Sequence, residues 1–126
     1  MNKNKKILIV EDTPDLLQNL SEFLIMEGFT ILSFLSARAA FHEFEKGTVP
    51  DLIVTDLSMP DIDGFQLIEM IRKMPLLNDV PVVIFSARPV QENQVRAASL
   101  GVAKYIKKPC PPDEFVQAIE EILIQK

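Results

Sequence analysis

Polar side chains that could hold a charged ligand directly follow four short apolar runs of this chain. The runs lie at residues 7–10, 52–54, 82–85 and 103–107. Thr55 separates the second run from the acid that follows it, and the last, weaker run ends on Lys107 itself. The polar set contains three carboxylates, one hydroxyl and one or two ammonium groups: Glu11, Asp12, Asp56, Ser86, Lys107 and Lys108. If the runs are neighbouring parallel strands, their carboxyl ends share one edge, and these side chains converge there.

Such a set has a definite chemistry. Carboxylates that lie within a few ångströms of each other raise each other's pKa unless a cation sits between them. Oxygen ligands suit a hard cation, and Mg²⁺ fits because it takes one or two carboxylates and reaches phosphate oxygens. An ammonium group and a hydroxyl can hold the other oxygens of a phosphoryl group, and a carboxylate can itself be the nucleophile. The residues therefore indicate phosphoryl chemistry at a Mg²⁺ site.

The elements that must position these residues form an alternating α/β pattern. The first, third and fourth strands are predicted from the runs given above, and the second from residues 29–34. Their β-branched residues hardly alternate with polar ones, which is typical of strands covered on both faces. Residues 103–107 predict a weaker fifth strand. Apolar residues at helical spacing predict intervening helices near residues 16–24, 37–44, 67–74 and 115–123, and a less regular one at 91–100.

The composition of the chain, its missing motifs and the positions of its glycines exclude several classes of protein. The chain has 126 residues, a length that suits a single α/β domain over residues 1–126. Its net charge of -5 argues against a nucleic-acid binder. Its single cysteine excludes an internal disulfide. The sequence has no glycine-rich loop of the dinucleotide-binding or Walker type, which argues against a nucleotide-binding domain. It also has no apolar run of about 20 residues, so we expect a soluble cytoplasmic domain without membrane contact. Gly28, Gly47 and Gly101 follow predicted helices, and Asp63-Gly64 predicts a turn.

Each polar residue also has a plainer interpretation when it is taken alone. Asp12-Thr13-Pro14 is typical of a helix N-cap signal, and an Asp that ends a strand, such as Asp56, is more often a turn or cap residue. Ser86 fits a helix cap or a loop, and the two lysines would ordinarily be solvated. What favours a site is that all of these residues end different strands at one edge of the predicted sheet.

The order of the motifs resembles the receiver domain of two-component response regulators. The likeness covers residues 6–124 and rests on motifs in the order of that family: Glu11-Asp12, Asp56 with Ser58-Met59-Pro60, Asp63-Gly64, Ser86-Ala87, and Tyr105 before Lys108-Pro109. We expect the greatest similarity to stand-alone receivers of the chemotaxis-regulator type, because no effector domain follows in this sequence. The resemblance implies a doubly wound, flavodoxin-like fold with five parallel strands in the order 2-1-3-4-5 and five helices.

The resemblance also implies roles for individual residues. Asp56 would accept a phosphoryl group from a phosphohistidine on a sensor kinase or a phosphotransfer protein. Mg²⁺ would be held by Asp12, Asp56, Glu11 (through water) and the backbone carbonyl of Ser58. Ser86 and Lys108 would contact the phosphoryl oxygens, and the Lys108–Pro109 peptide would be cis. Tyr105 would be the switch aromatic that couples the site to a protein partner on the α4-β5-α5 face.

Departures from the family pattern and rival functions leave alternatives open. The acid pair is Glu-Asp rather than Asp-Asp, and Cys110 stands where phenylalanine is frequent. Arg88 and Ser58 border the phosphoryl position, where they would tune dephosphorylation, and His42 is expected to be a surface residue. One rival is a receiver that works by protein interaction without phosphorylation. Another is a phosphatase that uses the two acids of Asp61-Ile62-Asp63.

Overall fold

The computed structural model describes residues 4–124 and places ten elements in strict β/α alternation. The strands are β1 (Lys6–Val10), β2 (Thr30–Phe34), β3 (Leu52–Thr55), β4 (Val82–Ser86) and β5 (Lys104–Lys107). The helices are α1 (Pro14–Met26), α2 (Ala37–Glu45), α3 (Gly64–Arg72), α4 (Val90–Ser99) and α5 (Pro112–Ile124). All strand pairs are parallel, in the order β2-β1-β3-β4-β5. The predicted fold class and strand order are confirmed.

Both faces of the sheet are buried, as the uninterrupted apolar runs predict. Leu8 and Val10 point into a core layer shared with α2 and α3, whereas Ile7 and Ile9 point into a layer shared with α1 and α5. All four side chains are at most 1% exposed. Because successive strand side chains alternate between faces, β1 needs apolar residues at each of its four buried positions, and the next polar groups occur where it ends.

The helix termini confirm some turn predictions and correct others. Asp12-Thr13-Pro14 does precede a helix start, since Thr13 is the N-cap of α1 and Pro14 lies in its first turn, but no side chain caps the helix. The three expected helix-ending glycines all have positive φ: 100° at Gly28, 98° at Gly47 and 69° at Gly101.

Gly64 does not close a turn. It begins α3 behind an Asp63 capping box. A Cβ there would collide with the carbonyl oxygen of Asp56 and approach the Cα of Leu57 to 2.9 Å. Glycine is therefore required by the close packing of α3 on the end of β3, rather than by turn geometry.

The helices are short. The longest, α1 and α5, have 13 residues each. Within residues 4–124, none combines the length and the apolar character that a bilayer crossing demands.

Candidate functional site

The carboxyl ends of β1 and β3 bring three acidic side chains together. Val10 pairs with Thr55 in the sheet, so the residues that follow them, Glu11 and Asp56, leave the sheet side by side. One carboxylate oxygen from each of Glu11, Asp12 and Asp56 lies within 4.8 Å of the others. Glu11 and Asp56 are only 2% and 7% exposed. This is the convergence that the sequence predicts.

Asp56 is fixed in orientation by the backbone that follows it. Its Oδ1 accepts hydrogen bonds from the N–H groups of Leu57 at 2.6 Å and Ser58 at 3.2 Å. The N–H of Gly64 donates to the carbonyl of Leu57 at 3.1 Å, which closes the loop between β3 and α3. The carboxylate is thereby held at the sheet edge with its second oxygen, Oδ2, facing the other site residues.

Lys108 supplies a cation to this acidic cluster. Its Nζ lies 2.7 Å from Oε1 of Glu11 and 2.9 Å from Oδ2 of Asp56, and its side chain is 17% exposed. Burial disfavours the charged ammonium, but the hydrogen bonds and negative charges of Glu11 and Asp56 outweigh burial and raise the pKa of Lys108. The ammonium thus stands between two carboxylates that would otherwise repel each other.

The end of β4 contributes a hydrogen-bonded group centred on Arg88. Its backbone N–H donates to Oγ of Ser86 at 3.2 Å, and its carbonyl accepts from the Tyr105 hydroxyl at 2.9 Å. Its guanidinium Nε donates to Oγ of Ser58 at 2.8 Å, across the edge of the site. Burial raises the pKa of Tyr105, so this hydroxyl keeps its proton at neutral pH. Arg88 therefore links the two predicted switch residues to the β3–α3 loop.

The remaining predicted residues fall partly inside and partly outside this arrangement. The Lys108–Pro109 peptide is cis. Lys107 is exposed, so the site has one of the two candidate lysines. The side chain of His42 is 68% exposed and lies 3.4 Å from Glu45, as expected of a surface histidine. Burial and then the nearby acids of α5 raise the pKa of Cys110, which favours an unreactive thiol.

The donor set fits a magnesium ion. Three carboxylates offer hard oxygen ligands within reach of one another, two of them mostly buried, and such ligands match Mg²⁺ rather than a soft metal. This fit rests on the type and the spacing of the ligands.

Two arginines with several contacts were not singled out from the sequence. Arg38 of α2 reaches Asp61 in the β3–α3 loop at 2.8 Å, and Asp61 has a positive φ of 71°. Arg72 donates to carbonyls in two loops. No residue pattern marks either one, because long exposed cations occur at many helix positions.

Comparison with known proteins gives a consistent result. The family model "Response regulator receiver domain" matches residues 7–120. The chain is 32% identical to the probable transcriptional regulator ycf29 of Porphyra purpurea, over 93% of this chain and 56% of that protein. It is 34% identical to the regulatory protein VanRc of Enterococcus gallinarum, over 93% of this chain and 49% of that protein. It therefore spans about half the length of these relatives.

A solved structure agrees over the whole length of a domain. The non-phosphorylated HemR receiver domain from Leptospira biflexa superposes with a TM-score of 0.87 and 31% identity. The superposition covers 95% of this chain and 94% of that one. The likeness thus includes all the elements that form the acidic site.

Proposed function

The chain belongs to the response regulator receiver domain family, and on that premise we propose that it is a Mg²⁺-dependent switch phosphorylated on Asp56. Residues 6–124 would form one receiver domain that takes its phosphoryl group from a phosphohistidine on a histidine kinase or histidine phosphotransfer protein. The domain would catalyse its own phosphorylation and dephosphorylation, as a signalling phosphoacceptor without an external substrate.

The observation that carries the proposal is that Asp56 lies beside both a carboxylate pair and an ammonium group. One Asp56 oxygen is held by backbone N–H groups and the other by Lys108, while the Glu11 and Asp12 carboxylates lie within 4.8 Å. An aspartate that serves only as a turn residue requires neither acidic nor basic side chains buried beside it. A phosphoacceptor uses both, since the transferred group is anionic and its charge must be neutralised.

Transfer of the phosphoryl group requires little of the protein beyond this arrangement of charged groups around Asp56. An oxygen of Asp56 would attack phosphorus and form a P–O bond while the P–N bond to the donor imidazole breaks. The bonding pair stays on that nitrogen, and because the other ring nitrogen of the donor carries a proton, the imidazole leaves as the neutral base. Glu11, Asp12, Asp56 and the carbonyl of Ser58 would hold Mg²⁺, which when bound neutralises charge on the phosphoryl oxygens. Lys108 and the Ser86 hydroxyl would donate hydrogen bonds to the remaining oxygens.

The signal would leave the site through Ser86 and Tyr105. Ser86 is fully buried at the end of β4, and its Oγ accepts from the same Arg88 whose carbonyl holds the Tyr105 hydroxyl. If the Ser86 hydroxyl turns to a phosphoryl oxygen, these bonds must rearrange. We propose that the change is transmitted to the surface of α4, β5 and α5, where a cytoplasmic protein partner binds, with no direct contact to nucleic acid or membrane.

A small-molecule phosphodonor tests the assignment. Acetyl phosphate with Mg²⁺ should add one phosphoryl group, about 80 Da, in a hydroxylamine-labile linkage. The label should be absent in Asp56→Asn and with EDTA. Asp61→Asn is the matched control, because it removes an equal charge from the same loop and should keep the label.

The alternatives make different predictions in this experiment. A label retained in Asp56→Asn would refute the phosphoacceptor assignment. Loss of the label in Asp61→Asn would favour the rival chemistry of the two acids at residues 61 and 63. Absence of any label in the wild type would favour a domain that works by interaction alone.

A further inference from the structure

Helix α4 is held to the domain by little apolar contact. It buries a single residue, Ala97, whereas α3 and α5 bury five each. Its Val95 is 82% exposed. Apolar burial supplies most of the energy that docks a helix, so the position of α4 must depend on other contacts.

The carboxyl end of α4 is held by Arg72, the last residue of α3. Its Nε donates to the carbonyl of Leu100 at 2.9 Å, and its Nη2 donates to the carbonyl of Gly101 at 3.1 Å. Its Nη1 donates to the carbonyls of Val80 at 2.8 Å and Asn78 at 3.3 Å, in the segment that leads into β4. One guanidinium therefore joins the end of α4 to the segment before a buried central strand.

The chemistry of this contact suits a fixed connection. The last carbonyls of a helix carry its partial negative charge and need donors, which a cation supplies well. Burial lowers the pKa of Arg72, opposed by the charge of Asp79, but a guanidinium remains protonated at any physiological pH. Its planar fork donates from three separate nitrogens to four carbonyls, whereas an ammonium donates from a single atom.

The amino end of α4 is connected differently. Its N-cap is Pro89, with no side-chain capping bond. The residue before it, Arg88, contacts Ser86, Ser58 and the Tyr105 hydroxyl, which surround the proposed phosphorylation site. In the last turn of the helix, Arg96 lies 4.5 Å from the centroid of the Phe65 ring on α3.

We propose that Arg72 is the positioning residue that fixes the carboxyl end of α4, so that the helix moves by swinging its amino end about this point. The anchoring role stands on the contacts of the resting protein. The expectation that phosphorylation drives the swing rests on the proposed function. Arg72 touches none of the reacting groups, so it acts through the helix rather than on the chemistry.

Hydrogen exchange of single amides tests the anchor in the unphosphorylated chain of 126 residues. The N–H groups of Leu100, Gly101 and Val102 donate to carbonyls in the last turn of α4 and report on that end. In Arg72→Gln they should exchange about tenfold faster, as expected from losing hydrogen bonds to a charged donor. Amides of β1 should keep their wild-type rates, which separates a local effect from a loss of global stability.

Two further variants sharpen the result. Lys73→Gln removes the same charge from the adjacent exposed position and should exchange like the wild type. Arg72→Lys keeps the charge but loses the fork, so it should resemble Arg72→Gln. Wild-type exchange at residues 100–102 in Arg72→Gln would overturn the proposal, as would full protection in Arg72→Lys, because charge alone would then suffice.

Phosphorylation supplies a second, separable measurement. In the labelled wild type, amide exchange should change at the amino end of α4 and stay constant at residues 100–102. Equal changes at both ends in a labelled sample would overturn the swing while leaving the phosphoacceptor assignment intact. If no label forms, the proposed function fails, and the Arg72 variants still decide the anchoring role.

Discussion

Replacing Lys108 with alanine should destabilise the protein and make its stability strongly dependent on Mg²⁺. The Lys108 ammonium lies between Glu11 and Asp56, whose side chains are only 3% and 8% exposed. Without it, two poorly hydrated carboxylates face each other, and their repulsion is no longer offset. The variant therefore exposes the electrostatic cost of assembling the acidic cluster.

The size of this effect follows from burial. Removing one partner of a fully buried ion pair costs about 3–5 kcal/mol, whereas exposed pairs contribute less than about 1 kcal/mol. Lys108, at 17% exposed, lies between these limits but nearer the buried one. We expect a loss of about 2–3 kcal/mol, and at about 4 °C per kcal/mol for a chain of this size, a fall in Tm of about 8–12 °C.

Thermal melts of wild type and Lys108→Ala, each with EDTA and with Mg²⁺, test this expectation. A ligand at ten times its dissociation constant stabilises by about 1.4 kcal/mol, and the variant should gain more because no ammonium competes for its carboxylates. The Tm difference between the proteins should therefore shrink in Mg²⁺. Lys107→Ala, at the exposed neighbouring position, is the control. Equal melting of Lys108→Ala and wild type in EDTA, or equal responses to Mg²⁺, would refute this account.

Three further predictions concern pH, packing and phosphoryl lifetime. Because the folded-state pKa of Lys108 is raised, its stabilising contribution is complete below the unfolded value of about 10.4 and is lost as pH rises through the folded value. Above about pH 10 the wild-type Tm should thus fall more steeply than that of Lys108→Ala, and parallel curves would contradict this. Gly64→Ala should lose more than about 2 kcal/mol in urea unfolding, since its Cβ meets the Asp56 backbone; a smaller loss would mean that α3 shifts easily. The hydrogen bond from Arg88 to Ser58 holds the guanidinium across the edge of the site, where it would shield a phosphoryl group from water. Arg88→Ala should therefore release phosphate from the labelled protein about fivefold faster, and an unchanged rate would show that the guanidinium does not shield the site.

Much of the fold and the membership of the site could be predicted because their signals are local. Buried parallel strands need apolar residues on both faces, so residues 7–10 and 82–85 identify β1 and β4 in the sequence. The polar residue after each strand must then lie at the ligand-binding edge of the sheet. This reasoning places Glu11 and Asp56 together, as the structure has them.

The contacts of long cations could not be predicted in the same way. Lys108 was expected at a phosphoryl oxygen, and the sequence does not reveal that in the resting protein it bridges Glu11 and Asp56. The acceptors of Arg72 are backbone carbonyls, which every residue type carries, so no pattern of side chains marks the contact. The turn predicted at Asp63-Gly64 was wrong, because the glycine is required by its close approach to Asp56. That contact joins residues from different elements, so no local pattern reveals it.

On the proposed function, the contacts that stabilise the unphosphorylated site would also supply the means of switching it. The Lys108 ammonium has three protons, and two of its hydrogen bonds are already made to Glu11 and Asp56. A phosphoryl group on Asp56 would place new anionic oxygens where Oδ2 now meets the ammonium, so at least one of these bonds must be exchanged. The Ser86 hydroxyl and the Arg88 guanidinium face the same competition. On the proposed function, phosphorylation would act by redistributing donors that are already committed, and the sparsely packed α4 is the element whose position those donors would help to set.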